Sequence, residues 1–501
     1  MTEQEELYFK ALAKDRTENA KVLEKPSMSG TKDSVTDKYS DQAHFVYELL
    51  QNADDAGATR ARFVLYPDKL VFAHNGTERF TISNPETEDA DKERGKLGHI
   101  NAITSIGHST KSEAKIGKFG VGFKAVFQYT AAPRIYDPGI FFRITRFIVP
   151  ERLEADYPER KAGETLFVFP FDGGKISTEE AYADISEKLR TLSFPVLFLS
   201  KLETVTFQAG GDSGEYGKQT LQTRTFGDTA AALLELSGGR EKERLWLFSR
   251  PDGSGRTYSA GFFLNDAGKL RKCDEPAFCF FPTKEQTGLN FIIHAPFLLT
   301  DSREGIKAGE KHNKTMIELL ANLAADSLSY LRDIGEQSGV RLIDDGMLNI
   351  IPTDSNRFQN SGGRISFAPF YEAIKKKLKT DKLLPTKNGY AVFRHAYGAS
   401  LEIMDVFTDE HLQYMTGDPE AQWVFVTRSY YGEKKSYLNQ LIQRRISDDD
   451  IFNGRSDYHY RGWSYESYEV VGTLKPALAE QLGFSPNVKI IAGAGDRKSV
   501  V

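Results

Sequence analysis

The sequence predicts an α+β protein of more than one domain, and three observations carry the prediction. Residues 41–172 alternate helical and strand patterns at short spacing, and residues 173–335 gather short apolar runs before closing on a long amphipathic helix. The 501 residues also supply, at about 150 per domain, enough chain for roughly three cores. Apolar residues make up 40% and aromatic residues 12%, too rich for a disordered chain. With 70 acidic against 65 basic residues the net charge is −5, so there is no polycationic signature and nucleic acid is not indicated as a partner. No apolar run approaches the ~18 residues needed to span a bilayer, which predicts no membrane partner. The acidic opening Met1-Thr2-Glu3-Gln4-Glu5-Glu6 is unlike a signal peptide. Cys273 and Cys279, both beside aromatic residues and without nearby histidines, predict buried thiols in a reducing, cytoplasmic setting and no zinc site.

Taken in order, residues 1–40 are polar and contain the breaker cluster Lys25-Pro26-Ser27-Met28-Ser29-Gly30, which predicts a short helix followed by a loose arm. In 41–57, Phe45, Leu49, Ala53 and Ala56 recur at helical spacing, with Ser40 or Asp41 as start cap and Gly57 as stop. Arg60 to Ala73 reads as two strands around the turn Tyr66-Pro67-Asp68-Lys69, part of a mixed sheet with helices on one face. Strand-like runs follow at Phe194 to Leu199, Leu245 to Phe248, Phe262 to Leu264, Phe278 to Phe281 and Phe291 to Ile293. Met316, Leu320, Leu323, Ser327 and Leu331 share one face of the closing helix. Residues 340–495 form a third region, richer in Tyr and Trp and less legible. There are no repeats, low-complexity tracts or useful heptads. Lys375, Lys376, Lys377 and Lys379 read as the solvated face of a helix, with a nucleic-acid patch as the alternative.

Two stretches carry chemistry. Glu48, Asn52 and Asp55 fall at i, i+4 and i+7 on one side of the first helix in 41–57. A carboxylate can orient or deprotonate water, and an amide oxygen can complete the octahedral shell of Mg²⁺; alone, the same pattern is also that of a solvated face. Ile116-Gly117-Lys118-Phe119-Gly120-Val121-Gly122-Phe123-Lys124 places three glycines just ahead of an apolar helix, Val121 to Phe127. Such a loop lets backbone N–H groups approach phosphate oxygens, although tight strand-to-helix turns use the same residues.

In this order, about 65 residues apart, the two stretches resemble the ATP-binding domain of the GHKL superfamily, which includes gyrase, the ninety-kilodalton heat-shock chaperones, histidine kinases and mismatch-repair ATPases. With His74-Asn75-Gly76, Gly107-His108-Ser109-Thr110-Lys111 and Phe297-Leu298-Leu299-Thr300-Asp301-Ser302-Arg303-Glu304, they look like its sacsin-like branch. The resemblance implies a Bergerat-type ATP-binding α/β sandwich at 41–172, a transducer-like α+β domain at 173–335 and a mixed domain at 340–495. ATP and Mg²⁺ follow as ligands. Glu48 matches the general base and Asn52 the Mg²⁺ ligand, with Asp55 on the same helix side. Gly117, Phe119, Gly120, Val121, Gly122 and Phe123 match the phosphate cradle. Ser109, Thr110 and Lys111 match a segment beside a mobile lid, Asn84 to Lys115, and Thr165 matches a threonine near the adenine. Lys284 and Arg303 match a cation sent toward the terminal phosphate.

One departure stands out. Most of the superfamily has Asp-x-Gly-x-Gly, whose aspartate accepts from the adenine amino group; here His74-Asn75-Gly76 stands in its place, and a neutral His74 could accept through a ring nitrogen. The alternative is that these residues are only a turn. The resemblance implies slow ATP hydrolysis driving opening and closing, with a protein client and a nucleotide-dependent homodimer as partners to consider. A nucleotide-gated scaffold with little turnover is the rival, and a histidine kinase a weaker one, since no histidine sits in a helical segment ahead of the ATP domain. Chaperone-like remodelling or bacterial defence would rest on fold analogy alone. At the far end, Asp496-Arg497-Lys498-Ser499-Val500-Val501 is the peptide encoded by a common short-read sequencing adapter, so residues 496–501 are expected to be an adapter-derived tail and 340–495 an interrupted domain with an exposed apolar face.

Overall fold

The computed structural model describes residues 1–25, 45–105, 123–173, 175–238, 242–300, 304–358, 362–425, 432–454 and 470–491. They divide into two compact units: Met1–Gly261 with Glu275–Gln286 and Ile292–Met316, and Phe262–Asp274 with Thr287–Phe291 and Ile317–Val501. The fold is mixed α/β, organised in the first unit on one large mixed sheet.

Helix α1 (Glu3–Leu23) is longer than the short helix the sequence predicts. A capping box starts it, the Glu5 backbone N–H donating to Thr2 Oγ1 at 3.2 Å and the Thr2 N–H to the Glu5 carboxylate at 2.7 Å. Phe9, Leu12, Arg16, Ala20 and Leu23 recur at intervals of three and four and are buried. Phe9 meets Phe142 edge-on at 6.4 Å, while Arg16 donates to the Thr104 carbonyl at 3.1 Å and pairs with Glu88. Helix α2 (Phe45–Asp55) ends at Gly57, whose φ of +75° favours glycine. It is buried on every side from Phe45 to Asp54, so its polar residues are not a solvated face.

Strands β1 (Arg60–Tyr66) and β2 (Lys69–His74) form the antiparallel hairpin expected around Pro67. Short helices α3 (Glu88–Glu93) and α4 (His99–Ile103) follow. The next strands are β3 (Arg134–Asp137), β4 (Ile140–Thr145), β5 (Val149–Arg152) and β6 (Thr165–Pro170), then helix α5 (Thr178–Arg190). Strands β7 (Thr204–Ala209), β8 (Asp212–Phe226), β9 (Thr229–Ser237), β10 (Glu243–Pro251), β11 (Thr257–Leu264), β12 (Pro276–Cys279), β13 (Phe281–Gln286) and β14 (Ile292–His294) complete the sheet. Its order is β13-β12-β14-β11-β10-β9-β8-β7-β1-β2-β6-β3-β4-β5, with β1 parallel to β7 and antiparallel to β2. The aromatic core under α2 includes Phe45, Phe63, Phe72, Phe142 and Phe169, all almost fully buried.

Two expected elements differ. Phe194 to Leu199 is not a strand: Phe194 has φ of +43° and Pro195 follows, so the run turns. Of the expected helix Val121 to Phe127, the described part is a 3₁₀ turn, Phe123–Gln128. The long helix does form as α6 (Lys311–Ser338), and Met316, Leu320, Leu323, Ser327 and Leu331 are all buried. In the second unit, helix α7 (Ala368–Thr380) buries Ile374 and Leu378, exposes Lys376 and Lys379 and half-buries Lys375 and Lys377. Lys377 pairs with Asp326 and Asp381, each at 2.9 Å, as a structured helix surface would. Val406, Tyr414, Phe425 and Phe484 are exposed; residues 496–501 lie outside the described residues.

Candidate functional site

A shallow cleft, partly open to solvent, lies in the first unit, with room inside for water of about 20 Å³. Leu49, Asn52 and Ala56 line it from α2 and its end, Phe72 and His74 from β2, and Thr165 and Phe167 from β6; Glu78, Arg79, Phe80 and His99 complete the wall. The antiparallel register pairs His74 directly with Thr165 and Phe72 with Phe167, so a polar rung and an aromatic one lie next to each other on one face of the sheet. The Phe72 and Phe167 rings are 5.9 Å apart.

The polar rung is held firmly. The Gly76 backbone N–H donates to His74 Nδ1 at 3.1 Å, and only glycine fits there, because a Cβ would lie 2.8 Å from the Ala56 carbonyl oxygen. Burial, aided by the Arg79 charge, pushes the His74 pKa down to about 4, so the ring is neutral at pH 7. Thr165 Oγ1 donates to Asp137 Oδ1 at 2.7 Å, and Asp137, fully sealed, also accepts from the Gly139 N–H at 3.3 Å. Arg79 Nη1 donates to the Gly76 carbonyl at 3.0 Å and lies 3.9 Å from Asp137 Oδ1. Across the cleft, His99 shares a hydrogen bond with Thr81 Oγ1 at 2.9 Å and approaches Glu78 at 3.4 Å.

Of the residues singled out in the sequence, Asn52, His74 and Thr165 meet in this cleft. Residues 31–139 match the Sacsin domain family. The chain is 28% identical over 325 residues to Protein NO VEIN of Arabidopsis thaliana, covering 58% of this chain and 11% of that protein. It is 30% identical over 128 residues to Sacsin of Homo sapiens, covering 21% of this chain and 3% of that protein. The chain therefore spans about a tenth or less of the length of these relatives. Together these likenesses support a sacsin-like family, and the matched stretch includes α2, β2 and most of the cleft wall.

Within and beside the sacsin-like region the other expected residues are placed as follows. Glu48, 4% exposed, is buried within α2 and is not among the residues lining the cleft. Asp55 is partly buried and also outside the lining. Asn75 turns to the strand start, its Oδ1 accepting from the Thr59 and Arg60 N–H groups at 3.0 and 2.9 Å, which makes it a turn residue. Phe123 is a core residue, its ring 6.2 Å from that of Phe167. Lys284 is exposed and pairs with Glu304 at 2.7 Å, away from the cleft lining. Ser109, Thr110, Lys111, Gly117, Phe119, Gly120, Val121, Gly122 and Arg303 lie outside the described residues, as do the last ten positions of the expected lid, 106–115.

Three residues emerge from the structure alone. Asp54 is buried and accepts from Ser200 N, Ser200 Oγ, Lys201 N and Leu202 N at 3.1, 3.0, 2.6 and 2.7 Å, tying α2 to the segment entering β7. Asp137 orients Thr165, and its sequence signal is an acidic residue closing the apolar strand Ile135-Tyr136. Lys124 is sealed in the core, donating to the Phe147 carbonyl at 2.7 Å with its ammonium 4.9 Å from the Phe147 ring. Burial pushes its pKa down to about 7. Among the described residues, no cluster of three or more His, Cys, Asp or Glu could cage a metal, and no helix is long and apolar enough to cross a membrane.

Proposed function

We propose that the cleft is the base-binding end of a GHKL-type, Mg²⁺-dependent ATP site whose slow hydrolysis drives opening and closing. The observation that carries the reading is convergence: Asn52, His74 and Thr165, far apart in sequence, meet at one opening floored by Phe72 and Phe167. An aromatic floor with a few oriented polar groups suits a purine. Mg²⁺ keeps most of its waters and needs only one or two protein oxygens beside the substrate phosphates, so the Asn52 amide fits the ion without an acidic cage. Bound there, Mg²⁺ would neutralise phosphate charge. The glycine run Gly117 to Gly122, which follows in the sequence, has the residue types of a phosphate cradle.

Titration calorimetry tests the reading: Mg·ATP binds the wild-type chain, and Asn52→Ala loses the metal-dependent part of the affinity. Unchanged Mg·ATP binding in that variant removes Asn52 from the site. His74-Asn75-Gly76 in place of the superfamily's usual Asp-x-Gly-x-Gly favours a second reading, a nucleotide-gated scaffold with little turnover. Phosphate release separates the two. If Glu48 is the general base, Glu48→Ala keeps nucleotide and loses about 10²–10⁴-fold in rate; equal rates in both proteins favour the scaffold.

A further inference from the structure

The His74 and Thr165 side chains in the cleft wall have fixed and opposite hydrogen-bonding roles. A neutral imidazole has one nitrogen that accepts and one that donates. His74 Nδ1 is occupied as the acceptor of the Gly76 N–H at 3.1 Å, so the ring proton is on Nε2. Among the described residues Nε2 has no hydrogen-bond partner, and His74 lines the cleft. The Thr165 hydroxyl is the complement: its one proton goes to Asp137 at 2.7 Å, which leaves its oxygen as an acceptor. The two residues are direct partners on β2 and β6. The cleft wall therefore carries an N–H donor beside an oxygen acceptor.

Resting on the nucleotide reading above, we infer that this donor–acceptor rung reads the edge of the base, and that the site accepts 6-amino and 6-oxo purine nucleoside triphosphates alike. Adenine offers an acceptor at N1 beside a donor at its amino group. A 6-oxopurine offers an acceptor at O6 beside a donor at N1–H. Each satisfies both protein groups, the acceptor on His74 and the donor on Thr165, and the two poses differ by a shift of about one ring position. A carboxylate in place of His74 would behave otherwise. It accepts only, so it would take the amino group and be left facing O6, lone pair against lone pair. The identity of His74 thus makes the site purine-selective without making it adenine-selective.

Competition binding on the full chain with Mg·ATP, Mg·ITP and the Mg²⁺ complex of purine riboside triphosphate tests this. ATP and ITP should bind within about tenfold of each other, while purine riboside triphosphate, which has no 6-substituent to donate, should bind about tenfold more weakly than ATP. His74→Asn keeps the pattern, its carbonyl taking the Gly76 N–H and its amide N–H facing the cleft, and should leave the ATP/ITP ratio near that of the wild type. His74→Asp should raise the preference for ATP by about a hundredfold. A wild-type preference for ATP beyond about tenfold overturns the inference and leaves the nucleotide site standing. So does an unchanged ratio in a folded His74→Asp protein. If none of the three nucleotides binds, the nucleotide reading itself falls and this inference with it.

Discussion

His74 and His294 are near twins in two regions of the first unit. Each is buried, each accepts a backbone N–H on Nδ1, from Gly76 at 3.1 Å and from Phe280 at 3.2 Å, and each is neutral at pH 7 because burial pushes its pKa down, to about 4 and about 3. They differ in what happens at the second nitrogen. His294, on β14, also bonds to the Phe278 backbone and is stacked on Phe198 at 4.5 Å with Phe280 edge-on at 4.9 Å. Its hydrogen-bonding capacity is used inside the protein, where it fixes the left-handed Phe280 between β12 and β13. His74 keeps one group for the cleft. Burial and a lowered pKa are thus shared by both histidines, and a second ring nitrogen without a hydrogen-bond partner among the described residues separates His74 from His294.

The comparison can be broken by substitution. His294→Ala should cost about 3 kcal/mol of stability, since it opens a void among aromatic rings and orphans the Phe280 N–H. Urea unfolding measures the loss, and nucleotide affinity should not change; a change would give His294 a role at the site. Acid should act on both histidines. Their folded pKa values lie below the unfolded 6.5, so the stability they contribute is present above pH 6.5 and is lost as pH falls toward about 4 and about 3. Each should account for about 2 kcal/mol between pH 7 and 5, where the unfolded chain binds the extra proton. Unfolding midpoints at the two pH values check this, and either histidine's replacement by Leu should flatten the slope.

A third buried base, Lys124, sharpens the contrast because it is a cation, held by the Phe147 carbonyl in the turn between β4 and β5 and absent from the cleft lining. Its folded pKa of about 7 lies below the usual 10.5, so the stability it contributes is present above pH 10.5 and lost as pH falls toward 7. Lys124→Met should therefore stabilise the protein by about 1 kcal/mol at pH 7, with the gain shrinking as pH rises. Thermal unfolding at pH 7 and 9 would show it. The smallest expected effect is that of His74→Leu on folding, about 1 kcal/mol or less from the orphaned Gly76 N–H, accompanied by weaker nucleotide binding.

These contrasts also mark what could be read from sequence. The hairpin Arg60 to His74, helix α2 and the apolar face of α6 follow from periodicity, because burial of one face imposes a repeat on the residues. The positions Asn52, His74 and Thr165 are legible as residue types. The hydrogen-bond polarity of His74 and Thr165 is not, since it depends on Gly76 and Asp137, which the chain brings in from a turn and from another strand. Asn75 and His74 are neighbours in one motif, yet one closes a turn and the other faces the cleft. Phe194 to Leu199 has a strand's composition, and Pro195 within it is the feature that outweighs the apolar run. The N-terminal helix is polar overall, and its buried Arg16 pairs with Glu88, a contact no local pattern encodes.

Asp54 has a mechanical consequence. Its carboxylate grips three successive residues, Ser200 to Leu202, just before β7, and β7 runs parallel to β1 from Arg60 onward. The helix that carries Glu48 and Asn52 is in this way bolted to the first strand of the long ribbon β7 to β10. Freeing it would orphan several charged hydrogen bonds at once, each worth about 1.5–3 kcal/mol. Any tilt of α2 must therefore drag the root of β7 with it, as a crank turns its shaft.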